Sequence, residues 1–227
     1  MRAAADPFVF PRRLVRALGL AAIIGSASFT TPLHAQPGKL GTYAGTATVA
    51  FSELGKYTKA DYLGVVKIAI PLTSASSGSA MGELSDIDKP SATATIKQLD
   101  SSGRDSSPDS GGKINTWSCK LAAPTEVPMN AQGTLNVDYR ARTYSFAIAL
   151  VSTKPVPLNC VHSRSGAYKK QEMVSLFLGT NEPGDAWKEL PFADPARLAA
   201  KYTMMPGMQM KGRYSPVVQE WDFRLQR

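Results

Sequence analysis

Half of the chain's eight methionines, Met204, Met205, Met208 and Met210, crowd around Pro206-Gly207. Thioether sulfurs are soft ligands suited to Cu(I), and a Pro-Gly turn could bring sulfurs from its two flanks together. Methionine also forms no disulfides in an oxidising compartment. Against copper stands a packing role, since Met208 and Met210 share a face at strand spacing and methionine fills irregular core gaps. Cu(I) is therefore an alternative and not the leading expectation, and no other cofactor is expected.

Histidine chemistry is scarce. His34 lies in an N-terminal segment expected to be removed, which leaves His162 alone and argues against a His-based metal centre. His162 could join Ser163 or Ser165 in a Ser-His-Asp arrangement, but no G-x-S-x-G elbow locates a nucleophile, and His162 reads as a solvent-facing loop residue. Asp61, Glu172, Asp185, Glu189, Glu220 and Asp222 could supply the carboxylate pair of a glycoside hydrolase. Nothing in their spacing brings two together. Glycine-rich phosphate loops are absent. A hydrolase using His162 or these carboxylates is thus the third reading, and the chain leans away from being an enzyme.

The two cysteines, Cys119 and Cys160, are too far apart for a CxxC redox motif and too few for a structural zinc site. In an exported protein they are expected to pair as a structural bridge. The N-terminus supports export. Arg2, Arg12, Arg13 and Arg16 precede an apolar stretch from Ala17 to Phe29 that is too short to span a bilayer, and Pro32 then breaks the run. Residues 1–35 read as a signal peptide cleaved after Ala35, with Ala27 the weaker site. The Arg12-Arg13 pair matches a twin-arginine signal only loosely, so ordinary secretion to the periplasm or the extracellular space is expected.

Removal of residues 1–35 takes four Arg and one Asp with it, which reduces the net charge of +8 to +5 and leaves 192 residues, enough for one domain at 36–227. No dense basic run with interleaved aromatics remains, so nucleic acid is not an expected partner. No later segment is apolar enough to be a spanning helix.

The elements that must position these residues are strands. Apolar and polar residues alternate over Thr42–Phe51, Tyr62–Leu72, Ala92–Leu99, Glu172–Leu178 and Gln219–Leu225, with Gly, Pro, Ser and Asp clusters between them. Gly133–Val151 reads as a hairpin turning near Tyr139–Arg142. Trp117, Cys119 and Leu121 share one face, which predicts a sheet-to-sheet staple at the disulfide. One short accessory helix is expected, with Asp194 as its cap, Pro195 at the first helical position and Ala196–Tyr202 as its body. The Ser-, Gly- and Asp-rich segment at about 100–113 predicts a mobile loop, in which Asp100, Asp105 and Asp109 lack EF-hand spacing. A second polar loop is expected at Val161–Lys170. Gly45-Thr46-Ala47-Thr48-Val49 and Gly133-Thr134-Leu135-Asn136-Val137 each open a strand after a glycine, without the flanking agreement of a repeat. The expected fold is all-β, an antiparallel β-sandwich with a barrel as close rival.

The leading functional expectation is a non-catalytic module that binds a ligand or an envelope partner. It rests on Tyr43, Tyr57, Tyr62, Tyr168, Trp187, Tyr202 and Tyr214, whose rings could stack on a ligand. Plugging the core is the competing role for each.

Overall fold

The structure, a computed structural model, describes residues 40–54, 56–85, 89–180, 188–204 and 217–227. The expected signal peptide, 1–35, lies outside the described residues. The chain runs through strands β1 (Thr42–Leu54), β2 (Thr58–Ala75), β3 (Ser79–Leu84), β4 (Ala92–Arg104), β5 (Thr116–Leu121), β6 (Thr125–Asp138) and β7 (Thr143–Ser152). It continues through β8 (Val156–His162), β9 (Gly166–Glu172), β10 (Ser175–Gly179), β11 (Leu190–Pro191), β12 (Arg197–Met204) and β13 (Val217–Gln226). The fold is all-β, as the alternation predicts, and every ladder is antiparallel.

The registers resolve this sheet into a meander of broken lanes. Beyond β1 and β2, the next lane is β3 followed end to end by β4, because β2 pairs with β4 up to Ile68 and with β3 from Leu72. β5 and β6 form one lane against β4 and β3, β7 and β8 form the next, and β9, β10 and β11 the last. The chain then returns through β12 to β13, which pairs with the other edge of β1. Loops 105–115 and 163–165 therefore share one end of the lanes with the last residues of β1 and β12 and the first residues of β2 and β13.

One face is buried along most of these strands, with β9 the exception. Tyr62 to Leu72 alternates buried and exposed or half-buried side chains, and so does β7. The two halves of the sheet meet through this face. Phe146 on β7 packs edge-on against Trp221 and Phe223 of β13 at 4.8 and 5.7 Å, and Trp221 Nε1 donates to the Tyr144 hydroxyl at 3.0 Å. Burial pushes the Tyr144 phenol up to about 12.

Where the ladders break, side chains take over as backbone partners. Ser91 Oγ accepts the Ala131 N–H at the interruption between β3 and β4, and Ser152 Oγ accepts the Val174 N–H between β9 and β10. Gln219 bridges the two halves: its Oε1 accepts the Gly179 N–H at 2.9 Å and its Nε2 donates to the Phe177 carbonyl at 3.3 Å. Those groups lie on the edge of β10 turned away from β7, because Thr180 makes the main-chain bond to Phe146. A wholly buried carboxamide thus stands in for a neighbouring strand. Gln219→Leu strands both backbone groups and is expected to cost about 3 kcal/mol in urea unfolding, at 1–3 kcal/mol per orphaned group. A loss below about 0.5 kcal/mol would show that water replaces the carboxamide freely.

Four sequence expectations need correction. The accessory helix at Ala196–Tyr202 is strand β12. Asp194 does cap, but its Oδ1 accepts the Ala196 N–H and its carbonyl accepts the Arg197 N–H in a tight turn. Helix caps and turns share this local chemistry. Leu198, Ala200 and Tyr202 then point inward at period two along β13, so pairing overrides helix propensity. The polar loop at Val161–Lys170 is largely β9, an edge strand that needs no apolar face. The loop at 100–113 starts later, because β4 continues to Arg104 beside β2 and β5. The Cys119–Cys160 bond exists, but it joins directly opposed residues on adjacent strands β5 and β8 and is no staple between sheets.

Candidate functional site

At the loop-bearing end, the registers align one inward row, Gly103, Trp117, His162 and Gly166, across β4, β5, β8 and β9. The row beneath it is Ser101, Cys119, Cys160 and Tyr168. The disulfide is buried, while Tyr168 stands 42% exposed with its hydroxyl 3.9 Å from Cys119 Sγ. Trp117 is half-buried with its indole over Gly103, where an added Cβ would come within 2.7 Å of the ring.

Two cations sit over a third ring, Tyr57. Lys56 Nζ and Arg104 Cζ sit 4.9 and 5.4 Å from the centroid of Tyr57, and the Arg104 N–H donates to the Tyr57 carbonyl. Arg164 is exposed in the β8–β9 turn. On the outer face, Lys120 and Lys169 flank Asn159 in a single row. Two acids here are engaged: Glu172 pairs with Lys170 at 2.7 Å, and Asp109 Oδ1 accepts the Gly111 and Lys113 amides of its own loop. Asp61 is held below the usual carboxylate range by the Ser52 hydroxyl and then by Lys59.

The sequence candidates are dispersed. His162 ends β8, and its Nδ1 accepts the Arg164 and Ser165 amides, so the ring caps its own hairpin. Ser163 Oγ accepts the Thr116 N–H. Glu189, at the opposite end from Asp61 and Glu172, accepts a hydrogen bond from Thr143. Glu220 and Asp222 lie on the outer face of β13, where the Arg197 guanidinium grips Asp222 at 2.9 Å and lowers its pKa. Of the methionine quartet, Met204 ends β12, and Met205, Met208 and Met210 lie outside the described residues, as do Asp185, Trp187 and Tyr214. Tyr43, Tyr62 and Tyr202 are buried and serve the core, whereas Tyr57 and Tyr168 are accessible.

Two surface clefts lie elsewhere. One of about 420 Å³ is lined by Ser79, Asn136, Asp138, Thr143, Ser145 and Glu189, but Asp138 Oδ1 is occupied by the Arg140 and Ala141 amides of the β6–β7 turn. The other, about 380 Å³, surrounds the Arg197–Asp222 pair. Among the described residues no cluster of three or more His, Cys, Asp or Glu could hold a metal, and no helix is long and apolar enough to cross a membrane.

Sequence reading missed the alignment of Trp117 with His162 and of Cys160 with Tyr168, since a register across strands separated by long loops leaves no local signal. The run Tyr168-Lys169-Lys170 reads as loop in the sequence and stands in β9. Comparison with protein families, curated proteins and solved structures gives no match for this chain.

Proposed function

We propose that the chain is an exported, non-catalytic binding domain that takes an anionic partner at its loop-bearing end. The observation that carries this reading is the gathering of rings and cations there: Tyr57 beneath Lys56 and Arg104, half-buried Trp117 and exposed Tyr168 on the inner face, Arg164 in the β8–β9 turn and Lys169 on the outer face of β9. Rings give contact area at low entropic cost, and cations steer and orient an anion. A buried disulfide and an N-terminal segment that reads as a signal peptide fit an oxidising compartment outside the cytoplasm.

The test uses poly-L-glutamate as probe at low salt. The triple variant Lys56→Glu, Arg104→Glu, Lys169→Glu is expected to bind at least about tenfold more weakly than the unaltered protein, with a shallower salt dependence. A control with the same charge change elsewhere, Lys67→Glu, Lys201→Glu, Arg224→Glu, separates local recognition from net charge. Equal losses in the two variants, or no binding by the unaltered protein, would overturn the reading.

A further inference from the structure

We propose that the partner is an extended acidic peptide segment that adds to the sheet as a strand along the free edge of β9. The inference rests on the binding reading of the loop-bearing end and names the form its partner takes.

β9 pairs with β8 on one side, and among the described residues it has no ladder partner on the other. Its neighbour in the same lane, β10, has its outward edge closed by the Gln219 carboxamide. The direction of the β9 main-chain groups follows from the bonds of β8. The Ser163 N–H donates to the Thr116 carbonyl and the Ala122 N–H to the Pro157 carbonyl, so Pro157, Asn159 and Val161 turn their main chains toward β5. Leu158, Cys160 and His162 therefore turn toward β9 and engage Lys170, Tyr168 and Gly166. That leaves the N–H and C=O groups of Ala167, Lys169 and Gln171 pointing outward, the template that an added strand requires.

The side chains decide which strand fits. Gly166 to Gln171 are all exposed, so β9 offers no apolar face for a hydrophobic segment. Lys169 projects on the outer face with Lys120 one strand further across Asn159. Lys170 on the inner face already has Glu172 as partner. A second copy of this chain is disfavoured, because antiparallel pairing of two β9 strands about Lys169 sets the two Lys169 side chains opposite each other. A carboxylate at that position turns the same contact into attraction. Residues of the added strand on the other face lie beside Tyr168, which supplies contact area.

The experiment titrates the intact protein with a fluorescent peptide of alternating Glu and Thr, about seven residues long to match β9. N-methylation is placed on one alternate set of peptide nitrogens or on the other. Strand addition predicts a parity signature: one set abolishes binding and the other is tolerated, because only every second N–H faces β9. Gln171→Pro is expected to weaken binding at least about tenfold, since it removes an outward N–H with no change of charge and without touching the β8 ladder. Its folding is checked by the unfolding midpoint, and the N-methylated peptides give the same answer with the protein unaltered. Binding that is insensitive to both N-methyl sets would overturn strand addition while leaving the anionic site standing. Failure of both this peptide and poly-L-glutamate to bind would overturn the site itself.

Discussion

Replacing Cys119 and Cys160 together by Ala is expected to lower the unfolding free energy by about 4 kcal/mol, the loop-closure value for a separation of 41 residues. For a domain of this size that is a large share of a typical total stability of about 5–15 kcal/mol. The loss should be felt unevenly. β6 and β7 are paired with each other over ten positions independently of the bond, whereas β5 is short, meets β4 over four residues and leads to β8 and then to the exposed β9. Amide exchange should therefore accelerate first in β5, β8 and β9, with β6 and β7 following the global value. Because the cystine sulfurs belong to residues only 2% exposed, reductant should act on the unaltered protein no faster than the chain opens at this end. A double variant that loses less than about 1 kcal/mol, or rapid reduction under native conditions, would contradict this account.

Gly133→Ala and Gly45→Ala are each expected to cost more than about 4 kcal/mol, enough to prevent accumulation of folded protein. At Gly133 a Cβ would sit 1.9 Å from the Ala147 carbonyl oxygen and 2.7 Å from Ile148 Cα, and φ is +156°. At Gly45 it would sit 1.9 Å from the Asp222 carbonyl oxygen. Both contacts are with backbone of a paired strand, so relief requires moving β7 or β13 and with them the packing of Phe146 against Trp221. Gly112 is the control. Its φ is +75° and its Cβ direction is open, so Ala there carries only the conformational penalty of about 1 kcal/mol. Midpoints of urea unfolding rank the three. A cost at Gly133 or Gly45 no greater than at Gly112 would mean that the strands separate easily at these points.

These two glycines give physical content to the similarity between Gly45–Val49 and Gly133–Val137. The segments are not a repeat, yet each glycine marks a point on the inner face where a neighbouring strand presses against Cα. The sequence predicts that each glycine opens a strand, whereas Gly45 lies within β1 and Gly133 deep within β6; which carbonyl each one meets depends on a partner strand far away in the chain.

The amino-acid sequence by itself determined the all-β class, because period-two burial at Tyr62–Leu72, Gly133–Val151 and Gln219–Leu225 is a local property of each segment. It also determined the pairing of Cys119 with Cys160, there being no other thiol. Tertiary structure decided the rest. Asp194-Pro195 carries a signal that a helix and a tight turn share, and only pairing with β13 made Arg197–Met204 a strand. β9 has no apolar alternation to announce it, since an edge strand needs hydrogen bonds from one neighbour and buries almost nothing. The candidate site is built from register: Trp117 meets His162 and Tyr168 lies beside Cys160 because β5, β8 and β9 align, and alignment between separate strands is set by contacts that no single segment encodes.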